Sequence, residues 1–259
     1  MYQKNIFILF LFFALPLLGL DKVSLQLKRH HQFQFAGYYA ALEQGYYRDE
    51  GLDVTIKDRD PEINNIDQVL NGDSQYGISD SVLLVYQAQK KPIAIVAPIF
   101  QHSPSVFIAL KSSGINSPHK MIGKRIALYP NDADGLPLLA MLYETGVTQQ
   151  GYKRMQSHFD LDQLTSGDVD IIHGYSTDEP YTLREKGFDI NVIYPQNFGV
   201  DLYGDILFTT QDELAHHPKR VAAMKRATIR GWEYAIAHKE EIIRLIQVNT
   251  MVSKPPINF

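Results

Sequence analysis

Three short clusters of polar and aromatic residues could bind a small molecule, and each follows an apolar, strand-like run. The first cluster contains His31, Gln32, Gln34 and Tyr38, with two phenylalanines among them. Aromatic rings can cover the faces of a flat ligand, while amides and imidazoles form hydrogen bonds to its edge. This combination predicts a pocket for a small, planar, polar molecule.

The second cluster contains Gln101 and His102, and the third contains Tyr175, Asp178 and Glu179. Open α/β sheets bind ligands at the carboxyl ends of their strands, which is where these clusters lie. A carboxylate such as Glu179 would match the amino-substituted edge of a heterocycle. As an alternative, Glu179 is an ordinary negative charge in the first turn of a helix.

Two further pairs are candidate ligand contacts. Ser79 and Asp80 follow a strand and precede a helix, so they are expected to cap that helix, to contact a ligand, or to do both. Tyr203 and Asp205 lie where the chain is expected to cross between two lobes, and Tyr203 offers another ring. The turn 131–135 contains Asp132 and Asp134, whose charges would repel an anionic ligand such as a sulfonate.

The composition excludes several classes of function. With 259 residues, 21% charged residues and a net charge of −4, the chain has no basic surface of the kind that binds nucleic acid. The absence of cysteine removes thiol nucleophiles, disulfides and thiolate metal sites. The histidines show no metal-ligand spacing, and there is no GxSxG motif of a serine hydrolase. We therefore expect no metal, no cofactor and no catalytic residue.

Residues 1–20 have the character of an export signal, since Lys4 precedes an almost wholly apolar stretch that ends at Leu20. That stretch is shorter than the roughly 20 residues of a typical membrane-spanning helix. The favoured interpretation is a signal peptide that directs the protein to the periplasm. An uncleaved amino-terminal membrane anchor and a buried amino-terminal element are the alternatives.

The remaining chain alternates between strand and helix patterns, which predicts an α/β fold with largely parallel sheets. Strands are predicted at 23–27, 52–56, 76–78, 92–100, 105–110, 124–128, 169–173, 189–194 and 202–209. The pattern restarts after residue 111, which indicates two similar lobes. The predicted boundaries are 21–105 plus 198–259 for the first, discontinuous lobe and 106–197 for the second.

Six stretches together resemble one known family. They are 31–56, 75–81, 99–104, 167–180, 201–210 and 217–238. The chain is similar to the solute-binding family that groups thiamine-pyrimidine-precursor and alkanesulfonate binding proteins with the fungal thiamine-pyrimidine synthase. The resemblance implies the two-lobed fold of type 2 periplasmic binding proteins, with mixed sheets and a hinge of two crossovers.

Two departures from the family stand out. Arg29 replaces a tryptophan that serves relatives as a stacking platform, and its permanent charge could favour a ligand with an anionic group. The chain also stops at Phe259, before the family's last helices, so a truncated first lobe is expected. Arg29 completes the candidate ligand-binding residues.

The resemblance implies binding of a thiamine-pyrimidine precursor, for uptake by an ABC transporter or for sensing through a signalling partner, by a monomer. An organosulfonate ligand is the alternative within the binding proteins. The enzyme alternative is the synthase, which needs a lysine, a sacrificial histidine and cysteines. Here Ser79 and Leu83 stand at the lysine and histidine positions, and cysteine is absent. The protein is therefore predicted not to be an enzyme.

Overall fold

The computed structural model of the protein describes residues 19–60, 63–128, 135–157 and 160–253, with only the backbone of 248–253. Asp132 and Asp134, like nearly all of the predicted leader, lie outside the described residues. Within the described ranges, no helix combines the length and the apolar character needed to cross a membrane.

Ten strands and ten α-helices occur in this described part of the chain. The strands are β1 (Asp21–Gln26), β2 (Leu52–Lys57), β3 (Tyr76–Ser79), β4 (Ile93–Pro98), β5 (Ser105–Leu110), β6 (Arg125–Leu128), β7 (Lys153–Gln156), β8 (Ile171–Tyr175), β9 (Ile190–Ile193) and β10 (Ile206–Thr210). The helices are α1 (Ala36–Glu43), α2 (Tyr46–Asp49), α3 (Asn65–Leu70), α4 (Leu83–Ala88), α5 (Leu136–Glu144), α6 (Asp162–Thr165), α7 (Glu179–Glu185), α8 (Gln211–His216), α9 (Pro218–Ala237) and α10 (Lys239–Ser253).

The strands form two sheets of five, in the orders β2-β1-β3-β10-β4 and β7-β6-β8-β5-β9. In the first sheet β10 runs antiparallel to both of its neighbours, while β1 is parallel to β2 and β3. In the second sheet β5 takes the antiparallel role, between β8 and β9. Each sheet is therefore mixed, and the predicted α/β architecture with mixed sheets is confirmed.

The two sheets are joined by two crossings, one between β4 and β5 and one between β9 and β10. The crossings are bonded to each other through their backbones: Ser103 N–H donates to Leu202 O at 2.7 Å, and Gly204 N–H donates to Phe100 O at 2.9 Å. A Cβ on Gly204 would come within 2.9 Å of the His102 carbonyl oxygen, so glycine permits this close approach. The two segments thus form one paired connection.

Helices α1 and α9 pack closely over the first sheet. A Cβ on Gly37 would meet the Trp232 ring at 2.2 Å, and a Cβ on Gly231 would meet the Gly37 carbonyl oxygen at 2.1 Å. The contact therefore depends on two facing glycines. It fixes α1, and with it the polar loop that precedes α1, against the first sheet's core.

The structure differs from the predicted elements in several places. The strand predicted at 202–209 begins only at Ile206, because residues before it belong to the paired crossing. Strand β7 was not predicted, since all of its residues are exposed at a sheet edge and show no apolar alternation. Helix α4 begins at Leu83 and not directly after Asp80, because the Asp80 carboxylate accepts the Val82 N–H in a preceding turn.

Candidate functional site

The site is built where strand ends of the first sheet approach strand ends of the second. Strand β1 ends at Gln26 and leads directly to Lys28 and Arg29, while β8 ends at Tyr175 and leads to Glu179 in α7. Ser176 N–H donates to Pro104 O at 2.8 Å, which ties the end of β8 to the first crossing. The geometry brings side chains of both sheets together.

Lys28 lies at the centre of a buried ionic cluster. Its Nζ lies 3.1 Å from Asp80 Oδ2 and 3.3 Å from Asp205 Oδ1, and all three side chains are almost wholly buried. Gln34 Nε2 donates to Asp205 Oδ2 at 2.7 Å, and Val82 N–H donates to Asp80 Oδ1 at 2.9 Å. Buried charges persist only when paired and hydrogen-bonded, and this cluster meets both conditions.

Arg29 connects the two sheets. Its guanidinium donates from Nη2 to Glu179 Oε1 at 3.0 Å, and its Cζ lies 4.6 Å from the centre of the Tyr175 ring. The Arg29 and Glu179 side chains are 15% and 12% exposed, so water reaches the pair only at its rim. Lys28 Nζ approaches the same ring, at 5.5 Å. Tyr175 therefore contacts both cations.

The Glu179 carboxylate is held independently of Arg29. Its Oε2 accepts the Tyr175 N–H at 2.6 Å. A Cβ at position 174 would lie 3.1 Å from both Cβ and Oε2 of Glu179, so Gly174 leaves room for the carboxylate. The pKa of the neighbouring Asp178 is raised, chiefly by desolvation and next by the negative charge of Glu179. The positive charge of Arg29 partly offsets this rise. This edge of the site is rich in hydrogen-bond acceptors.

The loop after β1 forms its own network beside these clusters. His31 Nδ1 is hydrogen-bonded to the Tyr39 hydroxyl, and its backbone N–H donates to Asp58 Oδ1 at 3.1 Å. Gln32 Nε2 donates to Gln34 Oε1 at 2.8 Å, which links the loop to the Lys28 cluster. These bonds tie the loop to Tyr39 of α1 and to Asp58 after β2.

Tyr38 and Ser79 are buried in the first sheet's surroundings. The Tyr38 ring is wholly buried and packs edge-on against Trp232, with ring centres 5.9 Å apart. Burial raises the pKa of Tyr38 strongly, and the charge of Asp205 adds to the rise. Ser79 ends β3 and is 2% exposed. Both side chains are enclosed by the protein, and their contact with a ligand stays a prediction.

Gln101, His102 and Tyr203 lie on the exposed side of the paired crossing. Gln101 Nε2 donates to Pro98 O at 3.1 Å, and His102 Nδ1 lies 2.9 Å from Asp201 Oδ1 on the other crossing. Tyr203 is 49% exposed, and its carbonyl oxygen accepts the Ser81 hydroxyl. Of these three side chains, that of His102 joins the two crossings, and the contact of all three with a ligand stays a prediction.

The structure thus brings six of the predicted site residues together around one residue that sequence reasoning missed, Lys28. The six are Arg29, Gln34, Asp80, Tyr175, Glu179 and Asp205. A lysine directly after an apolar strand is usually a solvated charge, so its type alone gave no signal. The useful signal was the presence of Asp80 and Asp205, each directly beside a strand of the same sheet.

The described part of the chain contains no group of three or more histidine or acidic residues arranged to hold a metal ion. The side chains at the site instead form ion pairs, hydrogen bonds and ring contacts. Such a set can bind a polar molecule by its face and its edge. Its carboxylates can accept N–H donors, and its rings can stack on a planar group.

Three curated relatives are identical to the chain at about a quarter of the aligned positions. The riboflavin-binding protein RibY of Chloroflexus aurantiacus is 27% identical over 237 residues, 87% of this chain and 66% of RibY. The formylaminopyrimidine-binding protein of Halalkalibacterium halodurans is 24% identical, over 89% of this chain and 71% of the relative. A 4-amino-5-hydroxymethyl-2-methylpyrimidine phosphate synthase of Legionella pneumophila is 24% identical, over 80% and 66%. The chain spans about two thirds of the length of these relatives.

The fold has close counterparts among solved structures. The alkanesulfonate-binding protein SsuA of Xanthomonas axonopodis pv. citri, bound to MOPS, superimposes with a TM-score of 0.69 at 14% identity. The match covers 90% of this chain and 80% of SsuA. The fold is accordingly that of periplasmic binding proteins, as the resemblance implied.

The family match extends across both sheets and includes most of the residues that build the site. Residues 32–242 match the family described as NMT1/THI5 like, which is more than half of the chain. The protein therefore belongs to the NMT1/THI5-like family.

Proposed function

We propose that the protein binds a small, planar, amino-substituted heterocycle of the thiamine-pyrimidine-precursor class and releases it unchanged. The observation that carries this proposal is the Glu179 carboxylate, held by the Tyr175 N–H beside the Tyr175 ring at the meeting point of the two sheets. A ring on Tyr175 would gain roughly 1–3 kcal/mol from stacking. Glu179 would accept hydrogen bonds from an exocyclic amine at its edge.

The charges of the site favour a ligand with N–H donors over a sulfonate. Lys28 and Arg29 supply two positive charges, against the carboxylates of Asp80, Asp205 and Glu179, with Asp178 nearby. A sulfonate would need donors that these carboxylates already occupy, and it would be repelled by the excess negative charge. The formylaminopyrimidine-binding and riboflavin-binding relatives support a nitrogen heterocycle as the ligand class.

A synthase activity is the second candidate, because synthases occur among the relatives. The positions where the resemblance implies the cofactor lysine and the sacrificial histidine hold Ser79 and Leu83, both buried. Neither side chain can form a Schiff base or serve as the nitrogen donor, and the chain contains no cysteine. The residues present do not fit pyridoxal phosphate, so binding without turnover is the better proposal.

We further propose that residues 21–105 with 198–259 and residues 106–197 are two lobes that close on the ligand about the paired crossing. Hinged closure of this kind could signal occupancy to an ABC permease or to a signalling domain. We place the protein outside the cytoplasm, on the strength of the apolar segment within 1–20. A smaller radius of gyration in solution scattering on ligand addition is expected, and an unchanged value would contradict closure.

A ligand titration tests the proposed function. Purified full-length protein is titrated in calorimetry with formylaminopyrimidine, hydroxymethylpyrimidine, riboflavin and taurine. We expect an aminopyrimidine to bind with a Kd of about 1 μM or below, which corresponds to a binding free energy of about −8 kcal/mol. Binding of taurine alone, or conversion of any of these compounds, would overturn the proposal.

Two variants of α7 localise the binding. Glu179→Gln is expected to weaken aminopyrimidine binding by about tenfold or more, since a charge-assisted hydrogen bond is replaced by a neutral one. Glu185→Gln removes the same charge from an exposed position on the same helix and should leave the affinity unchanged. Equal affinities of wild type and Glu179→Gln would remove Glu179 from the site.

A further inference from the structure

The guanidinium of Arg29 occupies the place that the proposed function gives to the ligand. It is planar, carries N–H donors, lies over the Tyr175 ring with Cζ at 4.6 Å from the ring centre, and donates to Glu179 Oε1 at 3.0 Å. These are the two contacts expected of an amino-substituted ring, one through its face and one through its edge. The Arg29 side chain and the proposed ligand would therefore make the same contacts with Tyr175 and Glu179.

We propose that Arg29 is an internal occupant of the Tyr175–Glu179 subsite, which an incoming ligand must displace. This inference rests on the proposed function for the identity of the ligand, but the subsite itself is defined by the contacts of Arg29. Arg29 then determines specificity, because a ligand binds only if it satisfies Glu179 and Tyr175 better than a planar cation does. A molecule without N–H donors at its edge is excluded.

The surroundings allow Arg29 to leave without collapse of the subsite. Glu179 Oε2 keeps its bond from the Tyr175 N–H at 2.6 Å, and Gly174 keeps the space that the carboxylate fills. The Arg29 side chain is 15% exposed, so part of it already contacts water. Its partner Glu179 lies in α7 beside the other sheet, 150 residues along the chain, so release of Arg29 removes one contact between the two sheets.

Competition between side chain and ligand lowers the observed affinity. A protein that must first break an internal contact binds more weakly by the fraction of molecules in which the contact is broken. Removal of Arg29 should therefore tighten the binding of an aminopyrimidine, even though it deletes a side chain from the site. An Arg29 that contacts the bound ligand would give the opposite result.

The first experiment replaces the side chain by its free counterpart. Methylguanidinium chloride at low millimolar concentration is titrated into Arg29→Ala, and saturable binding is expected in calorimetry. Wild type should show none, because its own guanidinium fills the subsite, and Arg29→Ala combined with Glu179→Gln should show none either. Arg226→Ala, which removes the arginine of the exposed Arg226–Glu50 pair, is the control and should behave as wild type.

The second experiment measures 4-amino-2-methylpyrimidine binding to wild type, Arg29→Ala and Arg29→Gln, with circular dichroism to verify folding. Arg29→Ala is expected to bind about tenfold more tightly than wild type, a difference of about 1.4 kcal/mol. Equal or weaker binding by Arg29→Ala, or failure of methylguanidinium to bind it, overturns the inference. If methylguanidinium binds Arg29→Ala but no aminopyrimidine binds any variant, the internal occupant stands and the proposed ligand class falls.

Discussion

Two adjacent cations, Lys28 and Arg29, are used in opposite ways at this site. Lys28 pairs with Asp80 and Asp205, which flank strands of its own sheet, and its side chain is 1% exposed. Arg29 pairs with Glu179 of α7, which follows strand β8 of the other sheet, and both partners retain some contact with water. One charge belongs to the framework of a sheet, while the other spans the boundary between two sheets. We propose that these two neighbouring cations divide a structural role, for Lys28, from a role in ligand binding, for Arg29.

The difference follows from desolvation. Once three charged groups are buried together, removal of one leaves the others without compensation in a medium of low polarity, so the set is fixed. A pair at the rim can exchange its partner for water or for a ligand at a much smaller loss. We therefore expect the buried Lys28 to keep its partners, and the partly exposed Arg29 to exchange its partner for water or for a ligand.

The largest effect is expected from Lys28→Met, which would leave Asp80 and Asp205 buried without their cation. The free energy of unfolding should fall by about 3–5 kcal/mol, measured by urea denaturation. Lys22→Met changes the same residue type at an exposed position of β1, the strand that precedes Lys28, and should have little effect. If Lys28→Met lowered the free energy of unfolding no more than Lys22→Met does, the structural role of Lys28 would be wrong.

Gly174→Ala tests the second sheet's side of the boundary without a change in charge. The added Cβ would lie 2.7 Å from Ile108 Cδ1 and 3.1 Å from Glu179 Oε2, so the carboxylate must shift. We expect a destabilisation of about 1–3 kcal/mol together with weaker aminopyrimidine binding. Gly151→Ala, where the nearest atom would be 3.8 Å away, is the control. If Gly174→Ala binds the aminopyrimidine as tightly as wild type, the position of the Glu179 carboxylate does not determine the affinity.

Arg29→Met should cost less stability than Lys28→Met, about 1–2 kcal/mol, because Glu179 keeps its backbone hydrogen bond and its access to water. The same urea experiment measures this difference. The stability losses of Lys28→Met and Arg29→Met would be similar if both cations were framework residues, and that outcome would contradict the division proposed here.

The smallest effect is expected from Asp178→Asn, which tests the negative charge beside Glu179 at the boundary between the two sheets. The pKa of Asp178 is raised in the folded protein, chiefly by desolvation and next by Glu179. The folded state therefore binds this proton more tightly than the unfolded state does. The contribution of Asp178 to stability is greatest at low pH and is lost as the pH rises through the folded pKa.

The asparagine variant has no such loss. Its melting temperature relative to wild type should rise between pH 4 and pH 7, by about 1 °C at most. Asp212→Asn, at an exposed position in α8, serves as the control. A relative melting temperature that fell between pH 4 and pH 7 would contradict a raised pKa of Asp178 in the folded protein.

Much of the fold was predictable because its buried strands have strong apolar patterns. Strand β5, whose first five residues are buried, is predicted with its observed bounds, and strands of both sheets are found near their predicted positions. Strand β7 could not be predicted, since an exposed edge strand needs only backbone pairing with β6. The late start of β10 arises from the pairing of the two crossings, which no local pattern reveals.

Which residues belong to the site was easier to predict than the contacts that they make. Polar residues beside strand ends directed attention to Asp80, Glu179 and Asp205, because that is where α/β sheets bind ligands. Their partners lie up to 177 residues away in the chain, and a pattern of neighbouring residues contains no information about them. Lys28 was missed for this reason.

The amino-acid sequence by itself determined the alternation of strands and helices, the family, the absence of thiol chemistry and the types of side chain available for binding. These properties depend on local periodicity and composition. Only the tertiary structure decided which of two adjacent cations is buried with Asp80 and Asp205 and which one reaches Glu179 on the other sheet. That choice depends on burial and on contacts between distant segments, since desolvation is a property of the folded molecule.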